Sequence, residues 1–234
     1  SIYLKYGEKY KKEISSNLRV ISPSNHNVLS ISNLNSNGDD FSPAYYRDGI
    51  VFIGNSKSKK SLFKWNNRSW LTIYNIPFLP TGKEKISIQE LELPKINKFH
   101  GGPVAFTRQD KMIYFSHNQN LDKKNKSTTN NLGIYSALKR RNKWTDLKAF
   151  SYNNPSYSIA HPTISDNGKE MYFVSDMPGG FGGTDIYFSR NSGYKWSTPI
   201  NLGPVINTSQ NELFPFFHKD GVLYFASEGH TGYG

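Results

Sequence analysis

One continuous stretch of the chain decides the fold. It reads His161-Pro162-Thr163-Ile164-Ser165-Asp166-Asn167-Gly168-Lys169-Glu170-Met171-Tyr172-Phe173-Val174-Ser175-Asp176, continues Met177-Pro178-Gly179-Gly180-Phe181-Gly182-Gly183-Thr184-Asp185-Ile186-Tyr187-Phe188, and closes with Pro199-Ile200-Asn201-Leu202. The turn Asp166-Asn167-Gly168 lies between two apolar runs, which is the pattern of a β-hairpin. A glycine-rich loop separates the second run from a third, and a short fourth run follows. Four strands joined by tight turns in about forty residues predict one four-stranded antiparallel unit, the blade of a β-propeller.

The same order of features recurs along the chain. A proline opens each copy at spacings of 60, 59 and 53 residues, at Pro43, Pro103, Pro162 and Pro215. A polar turn and an apolar strand follow each proline. The pair Ile-Tyr recurs in the predicted third strands, at Ile73-Tyr74, Ile134-Tyr135 and Ile186-Tyr187. Trp144 and Trp196 also fall at the same place in consecutive copies. This repeat predicts a propeller, and a β-sandwich with chance similarity is the alternative.

The repeat also sets the expected organisation of the chain. We expect a linker or the tail of an upstream region at 1–27 and a propeller over 28–234. The segment 28–34 has the pattern of a fourth strand without its first three, so we expect it to close the ring and remove an unpaired edge. The predicted blades are about 40–94, 99–150, 158–203 and 213–234. About three and a half blades do not close a ring, so the sequence is predicted to be the N-terminal part of a larger propeller.

Composition narrows the chemistry. The 234 residues suffice for one large all-β domain, and the 15 Tyr, 15 Phe and 4 Trp suit sheets that pack face to face. Cysteine is absent, which excludes disulfides and thiol or cysteine–zinc chemistry. No apolar run approaches the length of a membrane span.

The chain is strongly basic, with a formal net charge of +11. Its lysines and arginines cluster at 9–12, 57–60, 123–126 and 138–143, and all but the first cluster fall in predicted loops. These loops either keep the protein soluble or form a basic rim that meets an anionic polymer, a membrane surface or another protein. The predicted partner-binding residues are Lys57, Lys59, Lys60, Lys123, Lys124 and Lys126. Nucleic acid is not expected, because no base-stacking or groove-reading motif accompanies the charge.

Two features resemble ligand sites and are interpreted as structural. The loop Pro178-Gly179-Gly180-Phe181-Gly182-Gly183 precedes a strand, whereas a phosphate loop needs the start of a helix behind it. Asp176 and Asp185 flank that loop, but two acids nine residues apart are weak support for a calcium site. We expect Asp185 to accept hydrogen bonds from the loop backbone. No cofactor and no metal site are therefore predicted.

The histidines and acids do not predict catalysis. His100 and His161 precede the prolines of their blades, so we expect both to lie near the central channel, in structural hydrogen bonds or at a ligand. Many of the 18 acids fall in turn positions that are repeated in every blade, whereas catalysis needs a site once; they are Asp48, Asp110, Asp166 and Asp220. A glycosidase needs two placed carboxylates, and a serine hydrolase needs a Gly-x-Ser-x-Gly elbow that is absent. The chain is predicted not to be an enzyme.

The motifs resemble a known family. Asp39-Asp40-Phe41-Ser42-Pro43, the stretch from His161 to Tyr187, and Asn201-Leu202-Gly203-Pro204-Val205-Ile206-Asn207-Thr208 are similar to the WD40-like (PD40) propeller of OmpA-family proteins of Bacteroidota. The resemblance implies six blades and a periplasmic, outer-membrane-associated protein. Some relatives, such as the PorE-like proteins, belong to type IX secretion and gliding-motility complexes. Peptidoglycan would be bound only through domains outside this chain.

These observations lead to three functional hypotheses. The first is a non-catalytic scaffold that contacts protein partners in an envelope complex for type IX secretion or gliding motility. The second is a carbohydrate-binding or glycan-processing propeller with its site in the central channel. It predicts aromatic and acidic residues that are unique to one blade and face the channel. The third is a TolB-like adaptor with no tie to secretion, and the sequence does not separate it from the first.

Overall fold

The described part of the chain is all-β. The structure is a computed structural model, and it describes residues 36, 38–55, 62–63, 68–77, 88–94, 100–119 and 130–231. These residues form three four-stranded antiparallel sheets, a two-stranded pair and a small hairpin, with one 3₁₀ turn at Arg108–Asp110. The prediction of an all-β chain built from four-stranded antiparallel units is confirmed. The segments predicted as tail and closing strand, 1–27 and 28–34, lie outside the described residues.

Each four-stranded sheet is a meander whose strands follow chain order. The first sheet and its inserted hairpin comprise β1 (Asp40–Tyr46), β2 (Gly49–Asn55), β3 (Leu62–Phe63), β4 (Arg68–Ser69), β5 (Leu71–Pro77) and β6 (Gln89–Glu90). The second comprises β7 (Gly101–Phe106), β8 (Met112–Asn118), β9 (Leu132–Arg140) and β10 (Lys143–Ala149). The third comprises β11 (Ile159–Ile164), β12 (Glu170–Ser175), β13 (Asp185–Arg190) and β14 (Ile200–Asn201). The last pair is β15 (Glu212–Phe217) and β16 (Leu223–Ser227).

The repeated apolar residues form a core between each sheet and the next. The third-strand isoleucines of the Ile-Tyr pairs are all buried, at Ile73, Ile134 and Ile186. One cluster joins the first two sheets through Ile53 and Phe115, and a second joins the second and third sheets through Tyr114 and Phe173. Val174 of the third sheet packs with Phe225 of the last pair. Buried strands of this kind read as nearly continuous apolar runs because both of their faces are covered.

The two spaced tryptophans both contact the sheet that precedes their own. Trp144 lies 6.4 Å, between ring centroids, from Tyr46 at the end of β1. Trp196 meets Tyr114 of β8 edge-on at 6.0 Å. Their common position in the repeat therefore reflects a common packing role between sheets, where edge-on and tilted rings are favourable.

The first strands of the sheets lie side by side. β1 contacts β7, β7 contacts β11, and β11 contacts β15. Each of these strands is interrupted by a β-bulge next to its proline, as the register shifts after Phe41, Gly101, Ala160 and Leu213 show. A bulge bends a strand and redirects its side chains. The four bulges lie in the four adjacent first strands, and the candidate site is found beside them.

Candidate functional site where the first strands meet

A cavity of about 680 Å³ lies among the four first strands. Every strand contributes its repeat proline to the lining: Pro43, Pro103, Pro162 and Pro215. Phe41 of β1 meets Phe214 of β15 edge-on, with ring centroids 6.2 Å apart, so the first and last of these strands touch at the cavity. The inner edges of all four units thus surround one concave, mostly apolar space, the usual character of a binding pocket.

The residue before the proline has an unusual backbone conformation in three of the four strands. Ser42, His161 and Phe214 have φ angles of 53°, 51° and 50°. Positive φ is uncommon for residues other than glycine, and proline normally pushes the preceding residue into extended conformations. In β7 the corresponding residue is Gly102, where a Cβ atom would come within 2.8 Å of the Ser116 Cβ. Strained backbone of this kind often marks a functional site.

His161 and Phe214 form the most ordered contact of the cavity wall. Their rings stack with centroids 4.2 Å apart and planes 9° from parallel, and the Phe214 N–H donates to His161 Nδ1 at 3.4 Å. The His161 N–H donates to Ser116 Oγ of the second sheet at 2.8 Å. Burial lowers the pKa of His161 to about 4, so its ring is neutral at pH 7. A neutral imidazole with an occupied Nδ1 links the second, third and last units.

His100, which was also expected near the channel, does not line this cavity. His100 is not among the lining residues; it accepts a hydrogen bond from the Leu71 N–H at Nδ1 (3.1 Å) and packs on the Trp70 ring (4.6 Å). Burial, and then the nearby His117, lower the pKa of His100. The reason for the difference is the spacing to the proline: Gly102 directly precedes Pro103, as His161 directly precedes Pro162, whereas His100 lies three residues before Pro103.

The rim of the cavity mixes aromatic and polar groups. Tyr45 is 74% exposed and Phe216 is 45% exposed, which is unusual for large aromatic side chains. Asp166, His218 and Lys219 add polar atoms at the turns that follow the first strands. Most of this rim comes from the last pair of strands and from β1, the two ends of the described row of sheets.

The glycine-rich loop is held by one buried carboxylate, as predicted. Asp185 is buried and accepts hydrogen bonds from the N–H groups of Phe181 (2.6 Å) and Gly182 (3.3 Å) and from Asn201 Nδ2 (2.6 Å). Asp176, on the other side of the loop, accepts from the Ser158 N–H at 2.6 Å. Both acids thus fix backbone, and neither points to a shared ligand. In the described part of the chain no three His, Asp or Glu residues come together as metal ligands would.

Two further buried polar residues escaped prediction from the sequence. Glu212 is fully buried and accepts from the Thr208 N–H, the Thr208 hydroxyl and the Ser227 hydroxyl at 2.6–2.8 Å. Asn207 donates to the Ile186 carbonyl and accepts from the Ile186 N–H. Glu212 could have been singled out in the sequence as an acid at the first position of a strand, where apolar residues are expected. Both groups anchor the connection between the third sheet and the last pair.

The six lysines predicted to bind a partner lie outside the described residues, and their role stays a prediction. They are Lys57, Lys59, Lys60, Lys123, Lys124 and Lys126. The basic cluster at 138–143 is described, and it spans the end of β9, the turn after it and the start of β10.

Comparisons with known proteins do not show a family for this chain. No protein-family model matches the chain, and no curated protein matches it. Among solved structures, it is similar to a puromycin-hydrolyzing peptidase of Mycobacterium tuberculosis, with a TM-score of 0.44 and 13% identity. That match covers 80% of this chain and 28% of the peptidase, so the chain spans less than a third of the peptidase's length. The fold and the site define this chain as a protein built from repeated four-stranded antiparallel sheets. Within the described residues no helix is long and apolar enough to cross a membrane.

Proposed function

We propose that this chain forms consecutive blades of a β-propeller and acts as a non-catalytic scaffold for protein partners. The observation that carries the proposal is the convergence of four first strands, each with a bulge at its proline, around one cavity. Meandering sheets arranged around a common channel, each with its first strand innermost, are the arrangement of propeller blades. Rigid sheets of this kind present their loops and rims for binding.

The exposed rim of the cavity supports protein binding. Tyr45, Phe214 and Phe216 expose aromatic surface around the opening. Exposed aromatic groups with a polar surround are typical of protein–protein contact sites, where they act as anchors. The rim therefore offers a partner an apolar centre, with Asp166, His218 and Lys219 as polar contacts.

The roles of the buried acids favour a scaffold over an enzyme. Asp185 and Glu212 each accept three hydrogen bonds that hold loops in place. The described lining of the cavity contributes one carboxylate, Asp166, whereas glycoside hydrolysis uses a facing pair. The stacked His161 has its Nδ1 engaged by backbone. These groups maintain the shape of the site.

The cellular setting of the proposal derives from the motif resemblance alone. Because PD40 propellers occur in OmpA-family envelope proteins, we place the scaffold in the periplasm, associated with the outer membrane. Its partners would be components of a type IX secretion or gliding-motility complex. Contact with peptidoglycan would belong to domains outside this chain.

A glycan ligand is the second candidate, and the aromatic lining of the cavity favours it. Phe41, Phe214 and Phe216 present ring surface to the cavity, and sugar rings pack on such surfaces. The lining is shared by several units, whereas the glycan hypothesis predicts a cluster unique to one blade. We therefore rank it below the protein scaffold.

Site-specific photocrosslinking in the source cell tests the proposal. A photoreactive amino acid would replace Tyr45 or Phe216 at the rim, and Tyr194, which is fully exposed and does not line the cavity, would be the matched control. We expect the rim positions to capture the same envelope protein at a fixed ratio, and the control position not to capture it. If the rim positions capture no protein while glycan co-purifies with the intact chain, the scaffold proposal is wrong and the glycan hypothesis replaces it.

A further inference from the structure

Four cationic side chains gather at the tight-turn end of the first two sheets. Arg47 follows β1, Lys111 precedes β8, Lys139 is near the end of β9, and Arg141 is in the turn before β10. Lys111, Lys139 and Arg141 line a concavity of about 400 Å³ together with Gln109, Asp110 and Asn142. Arg47 joins this basic concavity through a hydrogen bond from its guanidinium Nη2 to Asn142 Oδ1 at 3.3 Å. Residues far apart in sequence thus form one surface.

Two of the cations are held in place by aromatic rings. Lys139 Nζ donates to the Tyr46 hydroxyl at 3.0 Å and lies 4.9 Å from the Tyr46 ring centroid and 5.4 Å from that of Trp144. The Arg47 guanidinium lies 5.3 Å from the Tyr46 ring centroid. Cation–π contacts position a charge without neutralising it. The side chains therefore lose little further conformational entropy when an anion binds.

The positive charge of the basic concavity is largely uncompensated. The ion pairs formed among the described residues involve Arg140 with Asp146, Arg190 with Glu170 and His218 with Asp220, and none includes the four cations. Asp110 is the carboxylate within the concavity, and its Oδ2 accepts a hydrogen bond from the Arg47 N–H at 3.2 Å. Three lining cations, with Arg47 beside them, and one carboxylate leave an excess of positive charge, which attracts anions.

We propose that the basic concavity binds an acidic segment of a protein partner. Its size admits a few carboxylate side chains, and guanidinium groups bind carboxylates through two parallel hydrogen bonds. The amides of Gln109 and Asn142 supply neutral polar groups that a peptide backbone can use. A concave surface that contains a carboxylate suits this occupant better than a flat anionic membrane. This inference concerns a surface other than the cavity and does not depend on the proposed function.

The test measures binding of fluorescently labelled poly-L-glutamate to the full chain by anisotropy, at low and at physiological salt. The double variant Lys111→Glu/Arg141→Asp reverses two charges of the basic concavity, and aspartate is tolerated at the positive φ of position 141. The matched control Lys148→Glu/Lys195→Glu changes net charge equally at exposed sites elsewhere. We expect about a tenfold loss of affinity in the first variant, with a weaker salt dependence, and less than about a twofold loss in the control.

Three results would overturn the inference. One is equal weakening in both double variants, which would mean that binding follows net charge alone. Another is unchanged binding in the first variant when circular dichroism shows that it is folded. The third is a failure of poly-L-glutamate to bind the chain, whether or not phosphatidylglycerol vesicles bind it. If the first variant does not fold, Arg47→Gln removes one charge of the concavity and is measured in its place. Photocrosslinking from the cavity rim is a separate readout, so failure here is distinguishable from failure of the scaffold proposal.

Discussion

At the scale of single residues, the buried acids Asp185 and Glu212 accept hydrogen bonds from backbone N–H groups and so hold loops in place. Asp185 binds three donors with its two carboxylate oxygens. We predict that Asp185→Asn lowers the free energy of unfolding by about 2–3 kcal/mol, because the new amide faces donors and leaves them unpaired. Urea unfolding measures the change. The matched variant Asp146→Asn weakens an exposed ion pair with Arg140 and should cost less than about 1 kcal/mol. Similar costs for both variants would contradict the assigned role.

The titration of His161 makes a second prediction at this scale. Its folded pKa of about 4 lies below the ordinary histidine pKa of 6.5, so the unfolded chain binds the proton more tightly. The contribution of His161 is therefore constant above pH 6.5, falls by roughly 3 kcal/mol as the pH drops towards 4, and then levels off. His161→Asn removes this titration and tolerates positive φ. We expect a smaller loss of unfolding free energy from pH 8 to pH 4 in the variant; equal losses would show that His161 does not carry the effect.

At the scale of elements, the bulged first strands join the sheets. Gly102 lies against Ser116, whose hydroxyl accepts the His161 N–H of the next sheet. We predict that Gly102→Ala displaces Ser116 and costs about 1–3 kcal/mol of unfolding free energy, as overpacking does. At the neighbouring Gly101 a Cβ atom would meet Ile73 Cγ1 at 3.3 Å, a side-chain atom that can shift, so Gly101→Ala should cost less. Thermal denaturation ranks the two, and the reverse order would refute this account.

These elements also show where prediction from sequence succeeds. Local turn chemistry is visible in the sequence: Asn167-Gly168 predicts a hairpin, and Gly168 has the expected positive φ of 70°. The bulges were not predictable in this way. A residue before proline is expected to be extended, yet Ser42, His161 and Phe214 are left-handed because packing between sheets outweighs the local preference.

At the scale of the whole molecule, the pair β15 and β16 carries exposed aromatic side chains. Phe216 and Tyr224 expose 45% and 56% of their surface. Exposed aromatic groups promote association. We predict that the chain self-associates as its concentration rises, and that Phe216→Gln/Tyr224→Lys weakens this association about tenfold. Sedimentation velocity measures both proteins; a monomeric wild-type chain at all concentrations would exclude the prediction.

Surfaces that are formed by residues of several sheets could not be predicted from the sequence, for a different reason. The repeat revealed the four-stranded units because strand and turn patterns are local. The basic concavity was hidden, since Arg47, Lys111 and Arg141 belong to different turns that only sheet packing brings together. The cavity rim was hidden likewise, because Tyr45 and Phe216 look like core residues in the sequence and only the structure shows that they are exposed.

In two of the three four-stranded sheets the outer strand, β6 or β14, is two residues long, whereas β10 of the second sheet has seven and the first strands next to the cavity have six or seven. An outer strand of this length contributes few ladder bonds, so its loss or replacement leaves the inner strands intact. Over evolutionary time these short outer strands can therefore accept insertions and deletions that the first strands around the cavity cannot. New recognition properties can arise at the periphery without a new fold having to be invented.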